Sequence, residues 1–276
     1  MLSQISSFFN YILVWPITNV LVAIYHFLYV FHVPFAFGFS IIILTVIIRL
    51  ILYPLTFSQL KTTQKMQKLT PHLDNLKKLH KNDAKKLQSE TMKLYKEHGV
   101  NPAAGCLPAL VQLPIIWALY AVLQHVVSLS PGELLKQINQ NIYFSAFKLN
   151  SVWDQNFFGL PLGIAPSKMI SHYGVLVLLV PVLTGVLQFF QSKLMFPPKS
   201  KDEKQVKKDD FASAMQTQSL FIFPVMIGFF SYSLPLGLSL YWNTFTIFGI
   251  IQQYHVQEFE DIKKLWVKIR GEKNNE

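Results

Sequence analysis

The sequence contains few of the residues that crosslink a protein or keep it soluble. Cys106 is the single cysteine among 276 residues, which excludes an internal disulfide and a thiolate metal site. Only 14% of the residues are charged, against about 25% in an ordinary soluble domain. Hydrophobic residues make up 51% of the chain. This composition indicates a membrane protein.

Motifs of the common catalytic classes are also missing. The sequence has no P-loop, no HExxH zinc motif and no nucleophile motif. Its apolar runs contain no Asp or Glu, which argues against aspartate proteolysis and against proton or sodium coupling inside the membrane. We therefore predict that the protein is not an enzyme and has no catalytic residue, cofactor or bound metal.

Five apolar runs are each about as long as the roughly 20 residues that a helix needs to cross a bilayer. They cover residues 36–57, 104–129, 173–191, 214–231 and 236–254. The segments after the first, third and fifth runs hold ten, six and five Lys or Arg residues, whereas the other three segments hold none, three and none. By the positive-inside rule, the N-terminus lies outside the cell and the C-terminus in the cytoplasm.

The sequence thus predicts an all-α polytopic membrane protein with a five-span core over residues 35–256. Within it we expect a cytoplasmic helical hairpin, an outer loop and a cytoplasmic loop, at residues 58–101, 130–171 and 192–213. Residues 257–276 form a short cytoplasmic tail, mixed in charge.

The first 34 residues are apolar and aromatic, and they lack the early Lys or Arg of a secretory signal, so we expect them to remain attached. Pro16 interrupts a single long helix. One interpretation is a sixth span over residues 12–31, and the other is a helix lying in the outer interface. We favour the interfacial helix, because polar residues such as Asn10 and Asn19 recur and the charge distribution favours an odd number of crossings.

Residues 58–101 have the pattern of two amphipathic helices. Apolar residues step by three and four along the first helix, at Met66, Leu69, Leu73, Leu76 and Leu79. Asn82 and Asp83 predict a turn with an N-cap, and Gly99 predicts the end of the second helix.

The outer loop carries only three lysines in about forty residues. Four of its residues, Trp153, Phe157, Phe158 and Pro161, favour a loop that lies at the membrane interface.

Arg49 is a cation inside the first apolar run. It precedes Phe57 by eight residues, or about 12 Å of straight helix, which is close to the midplane of the bilayer. An arginine there costs about 2.5–3.5 kcal/mol on insertion scales, and snorkelling relieves only part of this. Because the runs contain no acidic residue for a salt bridge, a water-filled cavity open to the cytoplasm is the interpretation that remains.

Other polar and aromatic residues of the spans could line such a groove. The candidates are Thr45, Gln112, Gln124, Gln188, Gln191, Ser239, Tyr241, Trp242, Asn243, Thr244 and Thr246. For any one of them, interhelical hydrogen bonding or packing is the simpler interpretation. Together with an arginine, they favour a shared polar groove for a transient polypeptide guest.

Four stretches of the sequence resemble the YidC family of membrane-protein insertases, in the Oxa/Alb superfamily. These are GFSIIILTVIIRLILYPLT at 38–56, the blocks at 65–79 and 94–123, and LPLGLSLYWNTFTIFGIIQQ at 234–253. The resemblance is to the short form, without the large extracytoplasmic domain of some members. It implies a groove in which Arg49 is the family's arginine and Gln191 and Trp242 match polar and aromatic groove positions.

The resemblance also implies a function and partners. Such a protein inserts and helps to fold newly made membrane proteins in the bacterial cytoplasmic membrane. Nascent membrane proteins, the lipid bilayer, the ribosome and the Sec translocon are the expected partners, and no specific nucleic acid is expected. A structural scaffold for membrane complexes and an anion-conducting channel are the alternatives.

Overall fold

The structure is a computed structural model, and it describes residue 8 and residues 10–80, 83–101, 107–128, 131–195 and 218–272. Eleven α-helices occur in these ranges: α1 Trp15–Val30, α2 Ala36–Ile51, α3 Tyr53–Lys68, α4 Thr70–Leu79, α5 Ala84–Glu97, α6 Leu107–Ser128, α7 Pro131–Gln140, α8 Pro166–Tyr173, α9 Leu179–Met195, α10 Phe223–Ser233 and α11 Leu236–Glu272. A two-residue pair of strands, β1 Asn156–Phe157 and β2 Leu160–Pro161, forms an antiparallel hairpin. The prediction of an all-α polytopic membrane protein is confirmed.

The chain divides into two compact units. The first contains Met1–Ile51, Pro108–Gln188 and Pro224–Phe245, and the second contains Leu52–Leu107, Phe189–Phe223 and Thr246–Glu276. Within the described residues, Asn10–Val30 and Val175–Met195 are long and apolar enough to cross a membrane, and α2 with α3 would make a third span if counted as one.

The core of the first unit is built where α1 and α2 pack against the outer segment. Trp153 is 2% exposed, stacks on Phe37 with ring centroids 4.7 Å apart, and meets Tyr25 edge to face. The ring of Trp153 thus fills the core between these helices and is no evidence for a loop at the membrane interface, and the position of that loop stays a prediction. The outer segment is also not a plain loop, since it contains α7, α8 and the hairpin.

Asn19 of α1 has its hydrogen-bonding groups satisfied inside the protein. Asn19 donates through Nδ2 to the carbonyls of Trp15 and Asn141, and its Oδ1 accepts from the backbone N–H of Tyr143. Pro16 lies in the first turn of α1, after a π-helical turn at Asn10–Val14, where a missing N–H is tolerated. Recurring polar residues are thus no argument for an interfacial helix, and whether α1 crosses or lies in the interface stays a prediction.

The helix of the first predicted span ends earlier than the sequence predicts. The helix α2 ends at Ile51 instead of Phe57, and a new helix begins at Tyr53. Pro54, in the first turn of α3, has no N–H to donate to the carbonyl of Leu50. Arg49 therefore lies in the last turn of α2, about 3 Å along the axis from its end, and the straight-helix depth of 12 Å does not hold.

Other span limits also differ from the predicted ones. The third span begins at Val175, after Gly174 with φ +71°, and continues to Met195, so the predicted cytoplasmic loop begins later than residue 192. The described part of the fourth span, Gln218–Ser233, ends two residues after the predicted limit at residue 231. The helix α11 continues without interruption to Glu272, so the tail is not a separate segment.

The second unit contains the predicted hairpin, with one additional break. The first arm is divided at Leu69, just before Thr70 and Pro71, into α3 and α4. Leu69, Tyr95 and Val100 form a small core with Met66 and Leu73 against it, whereas Leu79 is exposed, contrary to the predicted face. The Asp83 carboxylate accepts from the N–H of Lys86 at 2.9 Å, and Gly99 has φ +63°, so the predicted cap and stop are confirmed.

Candidate functional site

Arg49 is placed by α2 against the last helix of the first unit. Its side chain is only 5% exposed. The Nη2 group donates to the backbone carbonyl of Phe245 at 2.6 Å, and Cζ lies 3.4 Å from the centroid of the Phe245 ring. A helical carbonyl can accept this bond in addition to its bond within the helix, because it has two lone pairs.

Phe245 belongs to an aromatic pair on the last helix. The ring of Tyr241 lies 5.8 Å from that of Phe245, one helical turn away. An aromatic face attracts a cation by about 0.5–2 kcal/mol, with the larger values in desolvated sites. The bond to the carbonyl is already charge-assisted, because its donor is ionised. A carboxylate would add the Coulomb attraction between two ions and can accept two parallel N–H bonds, so it would be the stronger partner.

The structure brings several of the predicted groove residues into the same unit as Arg49. Thr45 and Tyr241 are completely buried, and the hydroxyl of Thr45 donates to the carbonyl of Ile41 on its own helix. The ring of Trp242 is buried and lies parallel to that of Phe230, with centroids 6.4 Å apart.

Asn243 presents an acceptor that is not used. Its Oδ1 is buried and has no hydrogen-bond partner among the described residues. A buried acceptor without a donor costs roughly 1–3 kcal/mol, so a water or a guest N–H at this atom would be favourable.

The structure describes the side chains of only some of the predicted groove glutamines. Gln188 and Gln191 lie on α9 three residues apart, on neighbouring positions of one helical face, and both are partly exposed. Gln188 belongs to the first unit and Gln191 to the second. The side chain of Gln112 lies outside the described part of the structure.

Sequence reasoning missed a chain of hydroxyl groups between three helices. The Oγ of Ser231 lies 3.1 Å from Oγ1 of Thr184 and 2.7 Å from Oγ of Ser239, which joins α9, α10 and α11. For Ser239, the interpretation as an interhelical hydrogen bond is thus the correct one.

Two glycines lie beside these hydroxyls. A Cβ on Gly228 would be 3.3 Å from the carbonyl oxygen of Pro181 and 3.6 Å from Cα of Gly185. The backbones of α9 and α10 approach each other closely here, as small residues permit in membrane bundles. The small and hydroxyl residues within apolar helices, Thr184 next to Gly185 and Gly228 three residues before Ser231, were the available signal.

The fold and this site define a class: a polytopic helical membrane protein that holds a buried cation against the carbonyl and ring of a phenylalanine. The sequence pattern of the 60Kd inner membrane protein family matches residues 19–264. The chain belongs to this family, which confirms the resemblance seen in the sequence.

Relatives of this chain come from bacteria and from a chloroplast. The membrane protein insertase YidC of Fusobacterium nucleatum is 36% identical over 222 residues, which are 80% of this chain and 86% of that protein. The inner membrane protein ALBINO3 of Arabidopsis thaliana chloroplasts is 32% identical over 84% of this chain and 49% of its own length. YidC of Rickettsia rickettsii is 34% identical over 81% of this chain and 36% of its own length.

Proposed function

We propose that the protein is a membrane-protein insertase and chaperone of the bacterial cytoplasmic membrane. Its family membership and the relatives named insertases support this activity. The observation that carries the mechanism is Arg49, a buried cation bound to the carbonyl and ring of Phe245. Newly made membrane proteins are the guests, and the surrounding lipid receives them.

The first step is an exchange of partners at Arg49. A carboxylate in the polar tail of a guest displaces the neutral carbonyl and aromatic ring, because an ion pair in a water-poor site is the stronger interaction. Asn243 supplies a nearby acceptor for the backbone N–H groups of the guest, and Gln188 and Trp242 are further candidates for the groove wall. Gln191, one turn beyond Gln188 on α9, extends this surface.

The second step needs no nucleotide. Burial of the apolar helix of the guest in lipid releases about 25 cal/mol per Å² of apolar surface. A membrane potential that is positive outside adds about 2.3 kcal/mol per negative charge for each 100 mV as the acidic tail moves outward. The protein contributes by placing polar partners part of the way into the bilayer, which lowers the barrier for the tail.

The hairpin of α3, α4 and α5 is the proposed receiving element. Its core contains three buried residues and two partly buried ones, so its opening costs less than opening a large core. Through this hairpin and the C-terminal helix, which is mixed in charge, the ribosome and the Sec translocon are the proposed partners on the cytoplasmic side.

Reconstitution into liposomes tests the role of Arg49. We expect Arg49→Ala to reduce insertion of a single-span substrate with an acidic tail by about tenfold, which corresponds to ~1.4 kcal/mol, because the tail loses its only strong partner. Arg49→Lys should be largely tolerated, since it keeps the charge. The readout is the fraction of substrate tail protected from external protease.

Two controls make the result specific. Lys148→Ala removes one positive charge from an exposed site of the outer segment and should leave insertion unchanged. A substrate with a neutral tail should be insensitive to Arg49→Ala. Equal insertion by wild type, Arg49→Ala and Arg49→Lys would refute the electrostatic role, and failure of the wild-type protein to insert any substrate would favour a scaffold.

Photocrosslinking tests the extent of the groove. Probes at Arg49, Gln191 and Trp242 should each crosslink a stalled nascent chain, whereas a probe at the exposed Lys93 of the hairpin surface should do so only at an earlier length of the chain. Crosslinks at 93 alone would leave the groove without support.

A further inference from the structure

The hairpin of β1 and β2 ends in a turn that is unusual for its residues. Phe158 and Gly159 occupy the two central positions with φ +50° and +83°. Two positive φ angles in a two-residue turn favour Asn-Gly or Gly-Gly. A left-handed conformation costs an L-residue such as phenylalanine roughly 1–2 kcal/mol.

The two phenylalanines of this hairpin face different environments. Phe157 is half-buried, and its ring lies against Gly38 of α2, where no side chain intervenes. Phe158 is 68% exposed. The strained residue is therefore the one whose ring the protein itself covers least, so internal packing does not account for a phenylalanine at this position.

A second strained phenylalanine contacts Phe158 from the α1–α2 connection. Phe35 also has a positive φ, +55°, and its ring centroid lies 4.7 Å from that of Phe158 and 6.0 Å from that of Phe157. We refer to Phe35, Phe157 and Phe158 as the aromatic tip. Two separate chain segments thus hold aromatic side chains at one place in conformations that phenylalanine disfavours.

The neighbourhood of the aromatic tip is apolar and continuous with a candidate membrane span. Residues 1–48 and 155–167 contain no Asp, Glu, Lys or Arg. Phe27 and Phe31, near the end of α1, are exposed, with ring centroids 4.7 Å apart. A surface of this kind fits the interfacial region of a bilayer, where aromatic rings are enriched.

We propose that the aromatic tip is a lipid anchor, with the rings of Phe158 and Phe35 inserted into the bilayer interface on the side where residues 131–173 lie. The anchor fixes the depth of the β-hairpin and, through Phe157 on Gly38, the depth of α2. Contact with lipid compensates for the strain in the turn, because the rings leave water when the protein is in a membrane.

Depth measurement with a spin label tests the anchor. A nitroxide is attached to Phe158→Cys in a Cys106→Ser background, and the protein is reconstituted into liposomes of phosphatidylethanolamine and phosphatidylglycerol. We expect collisions with oxygen to exceed those with a water-soluble nickel chelate by severalfold. The same label at Lys148→Cys, an exposed site of the same segment, should show the opposite order. Nickel accessibility at 158 as high as at 148 would overturn the proposal.

A second variant separates lipid contact from internal packing. Phe158→Asn suits the left-handed turn and removes the ring. In detergent its melting temperature should equal or exceed that of wild type, whereas in liposomes a label at Ile164→Cys should become severalfold more accessible to nickel. A loss of stability in detergent, with no change in accessibility at 164, would show that Phe158 serves packing alone.

Discussion

Arg49 shows how a cation can be held inside a membrane protein whose apolar runs contain no acidic residue. The planar guanidinium is more weakly hydrated than an ammonium group, stacks on aromatic rings and has five N–H donors. Phe245 supplies both a ring and a carbonyl to it. These interactions reduce the cost of burying the charge.

Gly38 is the residue at which we expect the smallest change to have a large structural effect. A methyl group in Gly38→Ala would overlap the ring of Phe157, so either the ring or the hairpin must move. We expect a loss of about 1–3 kcal/mol, typical of overpacking, measured as a lower midpoint of thermal unfolding in detergent.

The double variant Gly38→Ala with Phe157→Leu should recover part of this stability, because the smaller side chain leaves space for the methyl group. Gly132→Ala is the matched control, since a Cβ there would meet no atom within 4 Å. If Gly38→Ala and Gly132→Ala melt alike, the close contact between α2 and the hairpin is not present in solution.

At the scale of elements, the crossing of α9 and α10 depends on groups too small to be seen in a hydropathy pattern. Gly185 and Gly228 allow the backbones to approach, and Ser231 then reaches both Thr184 and Ser239. In lipid, packing and such hydrogen bonds replace the hydrophobic effect as the cause of helix association.

Ser231→Ala should therefore weaken this crossing. It removes two interhelical hydrogen bonds worth on average about 0.6 and at most about 1.7 kcal/mol each, so we expect a loss of about 1–2 kcal/mol. Thermal unfolding in detergent measures it, and Ser233→Ala, an exposed serine on the same helix, is the control. Should Ser231→Ala and Ser233→Ala be equally stable, the hydroxyl chain contributes nothing to the association.

Elements whose limits depend on neighbouring residues could be predicted, and others could not. The cap at Asp83 and the stop at Gly99 are local, because each involves hydrogen bonds or dihedral angles within four residues. The end of α2 at Ile51 was not predicted, although Pro54 follows it in the sequence. An apolar run indicates that a segment can be buried in lipid, but it does not show that the segment is one continuous helix.

At the scale of the whole molecule, the distribution of lysines predicts five crossings with the N-terminus outside. Cysteines replace Ser3, Lys93 and Lys148 one at a time in a Cys106→Ser background, and intact cells are treated with an impermeant maleimide. Cysteines at 3 and 148 should react, and a cysteine at 93 should react only after permeabilisation.

The pattern of labelling also decides the role of α1. If α1 crosses the membrane, the cysteine at position 3 will be protected while that at 148 still reacts, and the number of spans is six. Labelling of 93 from outside would instead reverse the orientation and contradict the positive-inside argument.

The sequence by itself determined that this is a helical membrane protein and that it resembles the family. It also determined the distribution of basic residues and the helix cap and stop at Asp83 and Gly99. Each of these depends on composition or on residues close in the chain. Only the tertiary structure decided that Trp153 is a core residue and that the side chain of Asn19 is hydrogen-bonded within the protein. It likewise decided that Phe245, 196 residues beyond Arg49, is the partner of that cation. Such contacts join residues far apart in the chain, and no local pattern specifies which of many apolar and aromatic side chains will meet.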